Sequence, residues 1–339
     1  MSEGRFKNPV EAVLTGIKDL FRQQKLASKL DDNNRMDGKT CLITGANSGL
    51  GYAISVQMAK RGAKVIMACR SGIPEKGEMV KKDSGSEKVE MIKLDLTDLD
   101  SINQFCNKLK AKGVKLDVII ANAGVAPPKA RKTPQGFEEM FMVNYLSKFV
   151  WIRKLLENGV IPNSTYSNSR KAGGPVSRII FISSDSHQTS SAIDYDEFGV
   201  YSDYGVNKSI SNYSYYKLVM NTFSAELSKR LKGGEAGIDV SVNAMCPGPV
   251  NTNIARDAPP ALLAFLKLIF KVFFQSPEKA AKPVTYMACS PDFEGRTNVY
   301  LHMFNEKPMD EKVYDGAEGE KLWKESKKLI NSVQPGNLS

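Results

Sequence analysis

Histidine is scarce: the 339 residues contain only His187 and His302, so a metal centre built on several histidines has no ligands to draw on. The five cysteines, Cys41, Cys69, Cys106, Cys246 and Cys289, are odd in number, scattered and mostly set among apolar neighbours, with no Cys-x-x-Cys pair. That distribution speaks for reduced core thiols in a reducing compartment, against a disulfide framework or a zinc site. No apolar run reaches about 18 residues, which argues against a membrane-spanning helix. The opening Met1-Ser-Glu-Gly-Arg-Phe-Lys7 lacks the basic-then-apolar layout of a secretory signal, so a cytoplasmic location is expected. Also missing is any basic run interleaved with aromatics. The formal charge of +10 is spread over segments such as Lys81-Lys82, Lys108-Leu-Lys110-Ala-Lys112 and Lys327-Lys328. Nucleic acid is therefore not an expected partner; a solvated surface, or attraction to an anionic cofactor or membrane, accounts for the charge.

With 42% hydrophobic and 25% charged residues, the chain has enough apolar material for a sizeable core. Apolar residues from Val10 to Phe21 recur at helical spacing, so residues 1–36 read as an amphipathic leader that either packs on the domain or lies on a membrane surface. From Asp37 onward, short apolar strands alternate with helical segments. The strands are Lys39–Thr44, Lys64–Cys69, Val89–Leu94, Leu116–Ala121, Arg178–Ser183 and Asp239–Ala244. The helices fall at about 49–62, 98–112 and 134–158, with a further one carrying Tyr213 to about 232. Near-continuous apolar strands indicate burial on both faces. The expected fold is α/β: one Rossmann-type doubly wound parallel sheet of six or seven strands with helices on both faces. A single domain over 37–310 is expected, with a polar surface insertion at 161–176 and an apolar substrate lid within 255–290. Residues 311–339 would add a C-terminal helix and tail.

Two elements carry chemistry on their own residue types. Thr44-Gly45-Ala-Asn-Ser-Gly49-Leu-Gly51 lies between the first strand and the first helix. A glycine-rich turn there lets backbone approach a pyrophosphate, whose charge meets the helix N-terminus. Tyr213 and Lys217 stand at i and i+4 on one helix face. An ammonium beside a phenol favours the phenolate and lowers the tyrosine pKa, giving a general acid/base for a substrate oxygen. Tyr204 and Lys208 share the spacing and form a decoy. After the second strand an acid would hold the 2′-hydroxyl of NAD, but the chain has Arg70, which suits a 2′-phosphate and predicts NADP(H).

The Gly-x-x-x-Gly-x-Gly spacing resembles the short-chain dehydrogenase/reductase family, and the resemblance continues over residues 38–304. Asp95-Leu96 follows the third strand, Asn122-Ala123-Gly124 the fourth, and Ser183-Ser184 ends the fifth; Asn144 lies in Met142-Val-Asn-Tyr-Leu, and Pro247-Gly248-Pro-Val250-Asn-Thr252 resembles the family's Pro-Gly element. The family's tyrosine helix continues through Lys-Leu to Glu-Leu, which Lys217-Leu218 and Glu226-Leu227 match. This selects Tyr213, makes Tyr204 a pocket or surface residue, and makes Ser209–Asn212 the loop and cap before the helix. The resemblance implies a catalytic set of Asn144, Ser184, Tyr213 and Lys217. It implies cofactor contacts at Gly45, Asn47, Ser48, Gly49, Leu50, Gly51, Arg70, Asp95, Leu96, Asn122, Ala123, Gly124, Pro247, Gly248, Val250 and Thr252, shared by Tyr213 and Lys217. Tyr216 departs from the family's usual small residue, which puts the shape of the nicotinamide end in question.

Tyr195, Phe198, Tyr201 and Tyr204 lie on the long segment before Tyr213, where they would border the pocket. Residues 261–275 are apolar apart from a stripe of Lys267, Lys271 and Gln275, which suits a lid over a hydrophobic substrate, or burial against the domain or a second subunit. These features, with Ala68-Cys69-Arg70 and the closing helix Leu322–Leu329, resemble the retinol dehydrogenase and protochlorophyllide reductase branch of the family. That branch implies lipophilic aldehydes, ketones or alcohols as substrates, with peripheral contact to the cytosolic side of a membrane and a homo-oligomer as further expectations. Double-bond reduction and a nucleotide-binding scaffold without turnover are the competing readings.

Overall fold

The strands form where β-branched and apolar residues run without interruption, because in a parallel sheet both faces are covered. In β2 (Lys64–Cys69), every residue after Lys64 is buried. The structure, a computed structural model, describes residues 26, 30, 31, 33–171, 173–233, 237–250 and 275–334. Its other strands are β1 (Thr40–Thr44), β3 (Val89–Lys93), β4 (Val118–Ala121), β5 (Ser177–Ile182), β6 (Val240–Cys246), β7 (Tyr300–His302) and β8 (Asn305–Glu306). They make one sheet in the order β3-β2-β1-β4-β5-β6-β7-β8. All neighbours are parallel except β7 and β8. The sheet has eight strands where six or seven were expected, because β7 and β8 are too short to give a periodic signal.

The helices are α1 (Gly49–Lys60), α2 (Glu75–Ser84), α3 (Leu99–Ala111), α4 (Ser147–Glu157), α5 (Val206–Arg230), α6 (Pro277–Cys289) and α7 (Gly316–Val333). One face of the sheet is covered by α3, α4 and α5, and the other by α1, α2 and α6. In α3, Leu99, Ile102, Phe105, Cys106 and Leu109 are buried at helical spacing, and the Asp98 carboxylate caps the start by accepting from Asp100 N at 3.0 Å. The order reverses between β1 and β4, so the crevice at their carboxyl ends is the topological switch point where such sheets bind ligands.

Several expectations change. The helix expected from about 134 starts at Glu139, because Pro134 and Gly136 (φ 87°) occupy a turn closed by a bridge between Lys132 and Glu138. Before α4 the chain passes through a π-helical turn, Met142–Leu146. Ser209–Asn212 is not a loop and cap: α5 already begins at Val206, and the Ser209 hydroxyl donates to Pro127 O at 2.7 Å instead of capping. The polar 161–176 segment is tied to the domain at two points. Asn163 is fully buried and donates to the carbonyls of Leu156 (2.9 Å) and Ile161 (2.7 Å), while the Asp239 carboxylate accepts from Ser164 N and Thr165 N. Residues 277–289 of the expected lid form α6, which packs against α1 with Val284, Tyr286 and Met287 buried. The remainder of the apolar stretch, residues 255–274, lies outside the described residues, as does most of the 1–36 leader. At the leader's end, Leu26 and Leu30 pack on the core beside α1.

Candidate active site

The glycine turn is shaped by close backbone approach. Gly45 has φ +65°, and a Cβ there would lie 3.0 Å from Ala123 Cα. A Cβ on Gly51 would sit 2.4 Å from Gly45 O and 2.5 Å from Asn122 Nδ2. Asn122 braces the turn by donating from Nδ2 to Thr44 O at 2.9 Å, and Ala123 N donates to Thr44 Oγ1 at 3.1 Å. At the start of α1, Ser48 makes no side-chain cap and the first turn carries no acid, so this helix terminus is left open to an anion. Leu50 is buried beneath it, and Asn47 Nδ2 donates to Ser71 O at 3.2 Å. Arg70, just past β2, is exposed and makes no ion pair or hydrogen bond among the described residues. Past β3, Leu96 is buried and the Asp95 carboxylate accepts from Thr97 N (3.0 Å) and Thr97 Oγ1 (2.7 Å).

The second group gathers at the carboxyl ends of β4 and β5. Lys217, 2% exposed, donates from Nζ to Ile182 O at 2.7 Å and stands 5.4 Å from the Tyr213 ring centroid. The Tyr213 hydroxyl forms no hydrogen bond among the described residues and keeps part of its surface open. Ser184 Oγ accepts from Ser186 N (3.3 Å) and Ser186 Oγ (3.0 Å), which leaves its own proton free to donate. Asn144, fully buried in the π-helical turn, accepts from Val125 N at 2.8 Å and donates to Val125 O at 2.9 Å. Gly124 lies between them: a Cβ there would be 3.2 Å from Asn144 Oδ1 and 3.7 Å from Lys217 Nζ. Asn144, Gly124 and Lys217 are thus brought together, with the Tyr213 ring next to Lys217 and the turn that follows Ser184 packed on α5. On the far wall, Gly248 has φ +80°, Pro247 O accepts from Gln275 Nε2, and Val250 bridges to Gln275. Thr252 lies outside the described residues.

The electrostatics correct one expectation. Burial pushes the Tyr213 phenol up from its ordinary value, and a negative charge at Cys246 adds to this. Burial also pulls Lys217 down, to about 8. In the free protein desolvation therefore outweighs the lysine's pull on the phenol. Three of the four expected pocket aromatics are also relocated. Phe198 meets Phe141 edge-on at 5.2 Å and Tyr195 reaches Glu318, so both join the aromatic layer between α4, α5 and α7. Tyr204 is buried, with its hydroxyl donating to Glu138 Oε1 at 2.7 Å. Tyr216 turns its ring to Phe141 at 5.6 Å, on the aromatic layer.

Two buried groups beside the site escaped the sequence reading. Lys148 is fully buried and donates to Ala123 O (2.9 Å) and Val143 O (2.8 Å), tying the Asn122–Gly124 turn to the π-helical turn. Its signal was a lysine four residues after Asn144 inside an apolar helix. Burial, reinforced by Lys217, holds its ammonium well below the usual lysine range. The other is Cys246 with His302 and Asp185, whose ligand-type atoms all lie within 4.8 Å of one another. No local spacing announces it, since the three residues come from three separate strand ends.

The family profile described as short chain dehydrogenase matches residues 39–262. The chain belongs to the short-chain dehydrogenase family. Mouse (Mus musculus) retinol dehydrogenase 14 is 35% identical over 317 residues, covering 89% of each chain. Human (Homo sapiens) retinol dehydrogenase 13 is 32% identical over 98% of this chain and 97% of its own. Zebrafish (Danio rerio) polyprenol dehydrogenase is 32% identical over 95% and 96%. A solved structure of an uncharacterised protein from Mycobacterium Paratuberculosis superposes with a TM-score of 0.66 at 28% identity, covering 90% of this chain and 97% of that one. The chain thus sits in the retinol dehydrogenase-like branch of an oxidoreductase family. Among the described residues no helix is long and apolar enough to cross a membrane.

Proposed function

We propose that the protein is an NADP(H)-dependent oxidoreductase that moves hydride between the nicotinamide and the carbonyl or alcohol carbon of a lipophilic substrate, a retinoid, steroid or other aldehyde or ketone. The carrying observation is the pair on α5: Lys217 fixed on Ile182 O at 2.7 Å, with the Tyr213 hydroxyl, one helical turn before it, unbonded among the described residues. The residues present fit a dinucleotide. The uncapped start of α1 and the Gly45–Gly51 cradle would hold the diphosphate, and the exposed Arg70 a 2′-phosphate. Asp95 and Leu96 would border the adenine, and Asn122–Gly124, Pro247, Gly248, Val250 and Thr252 the nicotinamide half. When bound, the nicotinamide supplies or accepts the hydride.

The chain's own residues handle the proton and the oxygen. In the reducing direction the Tyr213 hydroxyl gives its proton to the substrate oxygen, and in the oxidising direction the phenolate takes it back. Protonated Lys217 stabilises that phenolate, and the high resting value of the phenol keeps Tyr213 protonated until substrate arrives. Ser184 donates its free proton to the same oxygen, and Asn144 holds the turn through which a water relay reaches Lys217. The names of the relatives, retinol and polyprenol dehydrogenases, support a long apolar alcohol or aldehyde. A substrate of that kind suits a cytosolic enzyme working at a membrane surface.

The test is a panel of retinoid, polyprenoid and steroid carbonyls assayed with NADPH and NADH by loss of nicotinamide absorbance. Turnover is expected on at least one class, and Tyr213→Phe should lose about 100-fold or more of it while still binding NADPH. Tight NADPH binding without turnover on any substrate would establish the scaffold reading instead.

A further inference from the structure

Lys148 lies in the first turn of α4, where its sequence neighbours Leu146, Phe149, Val150, Trp151 and Ile152 are all fully buried apolar residues. It is itself fully buried, and among the described residues no carboxylate pairs with it. Its Nζ donates instead to two backbone carbonyls, Ala123 O at 2.9 Å and Val143 O at 2.8 Å. Val143 belongs to the π-helical turn, and its carbonyl also accepts from the Ser147 hydroxyl at 3.2 Å. Asn144, the next residue, makes a second link to the same loop through Val125 N at 2.8 Å and Val125 O at 2.9 Å. The peptides on both sides of Gly124 are therefore tied to one irregular turn, the kind of helical irregularity that recurs at functional sites.

We propose that Lys148 is a positioning residue for the nicotinamide end of the site, bracing the Ala123–Gly124 peptide against the turn that carries Asn144 and so holding that backbone at its distance from Lys217. The inference rests on the cofactor reading above, in which Asn122–Gly124 border the nicotinamide half. The Ala123–Gly124 bond is trans, and in a trans peptide C=O and N–H point in opposite directions. A bond that fixes Ala123 O thus also fixes where Gly124 N–H points. The spacing leaves little slack: a Cβ on Gly124 would be 3.2 Å from Asn144 Oδ1 and 3.7 Å from Lys217 Nζ. A displacement of about 1 Å at such a place is enough to cost an enzyme much of its rate.

The charge state of Lys148 suits a brace better than a second cation. Burial, with Lys217 adding to it, holds its ammonium well below the usual lysine range. An amine without the extra proton still has two N–H bonds, one for each carbonyl, and it leaves the positive charge to Lys217. Such a group costs the fold stability, because it must surrender a proton to be buried, as a methionine would not. A lysine retained here for the site, at the expense of the fold, predicts a substitution that spares stability and impairs binding.

The test titrates the full chain at pH 7 with NADPH and with adenosine 2′,5′-bisphosphate, which has the adenosine half and no nicotinamide; neither measurement needs turnover. Lys148→Met should weaken NADPH binding at least about fivefold, the worth of about one hydrogen bond, and leave the bisphosphate within about twofold. In urea the variant should be at least as stable as wild type. Lys148→Gln, whose amide keeps two N–H donors on a side chain one bond shorter, should recover part of the NADPH affinity. Three results with the methionine variant overturn the proposal: NADPH affinity within about twofold of wild type, equal weakening of both ligands, or loss of stability up to failure to fold, which would make Lys148 a structural group. A glutamine variant no better than methionine overturns it too, by removing the N–H donors from the account. A wild type that binds neither ligand is a separate outcome, which removes the cofactor reading itself.

Discussion

Lys217→Met should make the cofactor-free protein more stable near neutral pH while removing its turnover. Lys217 is 2% exposed, and its single described hydrogen bond runs to a neutral carbonyl, Ile182 O, at 2.7 Å. Burial brings it from 10.5 to about 8. At about 1.4 kcal/mol per tenfold change in the proton equilibrium, that displacement costs about 3 kcal/mol while the amine stays charged. Below pH 8 both folded and unfolded chains hold the proton, so the folded form bears the whole cost. As the pH rises from about 8 toward 10.5, the folded form sheds the proton before the unfolded one does, and the wild type recovers stability that a methionine variant never lost. Methionine keeps the length of the stem but orphans Ile182 O, a loss of about 1 kcal/mol. The variant should therefore lead by about 2 kcal/mol at pH 7 and trail by about 1 kcal/mol near pH 10.5. Urea unfolding of both proteins at pH 7, 8, 9 and 10 measures the difference, in which titrations common to both, His302 included, cancel. A difference that stays flat within about 0.5 kcal/mol across this range would refute the assignment of Lys217 as a desolvated cation.

Tyr204→Phe removes the hydroxyl bonded to buried Glu138 and should cost about 2 kcal/mol in urea unfolding, yet leave turnover within about twofold. A large loss of kcat would make Tyr204 a contributor to the chemistry. Arg70→Asp should move the ratio of kcat/KM for NADPH over NADH by at least about tenfold toward NADH, and an unchanged ratio would remove Arg70 from the 2′-phosphate. Asp239→Ala strips the acceptor from Ser164 N, Thr165 N and Thr165 Oγ1 and should destabilise by about 3 kcal/mol, with turnover per folded molecule unchanged. A stability within about 0.5 kcal/mol of wild type would show that the Asp239 contacts do not anchor the 161–176 segment.

What could be read from the sequence was whatever one segment encodes alone. The strand cores were legible because buried parallel strands are uninterrupted apolar runs, and the glycine turn because its spacing serves a single backbone shape. Properties that require a second segment were not legible. The start of α5 was misplaced because Ser209 spends its hydroxyl on Pro127 O, eighty-odd residues upstream in the chain, so a serine-rich stretch reads as a cap when it is helix. The direction of the Tyr213 shift was misjudged for a related reason: spacing reveals the lysine neighbour, but desolvation depends on everything packed above both groups. Tyr195, Phe198 and Tyr204 looked like pocket walls because a loop rich in tyrosine resembles one, and only the fold supplies Phe141, Glu318 and Glu138 as their partners.

The same division explains why α5 can hold its two polar groups so exactingly. Its other face enters the aromatic layer: Phe223 meets Phe149 at 5.4 Å and Phe181 at 5.7 Å, with Trp323 of α7 closing over it at 6.0 Å. Aromatic pairs of this kind contribute about 0.5–1.5 kcal/mol each beyond the area they bury, and they resist rotation of the helix about its axis. A turn of α5 by one residue would swing Tyr216 out of contact with Phe141 and carry Lys217 away from Ile182 O. Core packing on one side therefore sets the angle at which Lys217 meets Ile182 O on the other. The desolvation that makes Lys217 costly is the consequence of seating it this firmly, so stability and site geometry trade against each other at one residue.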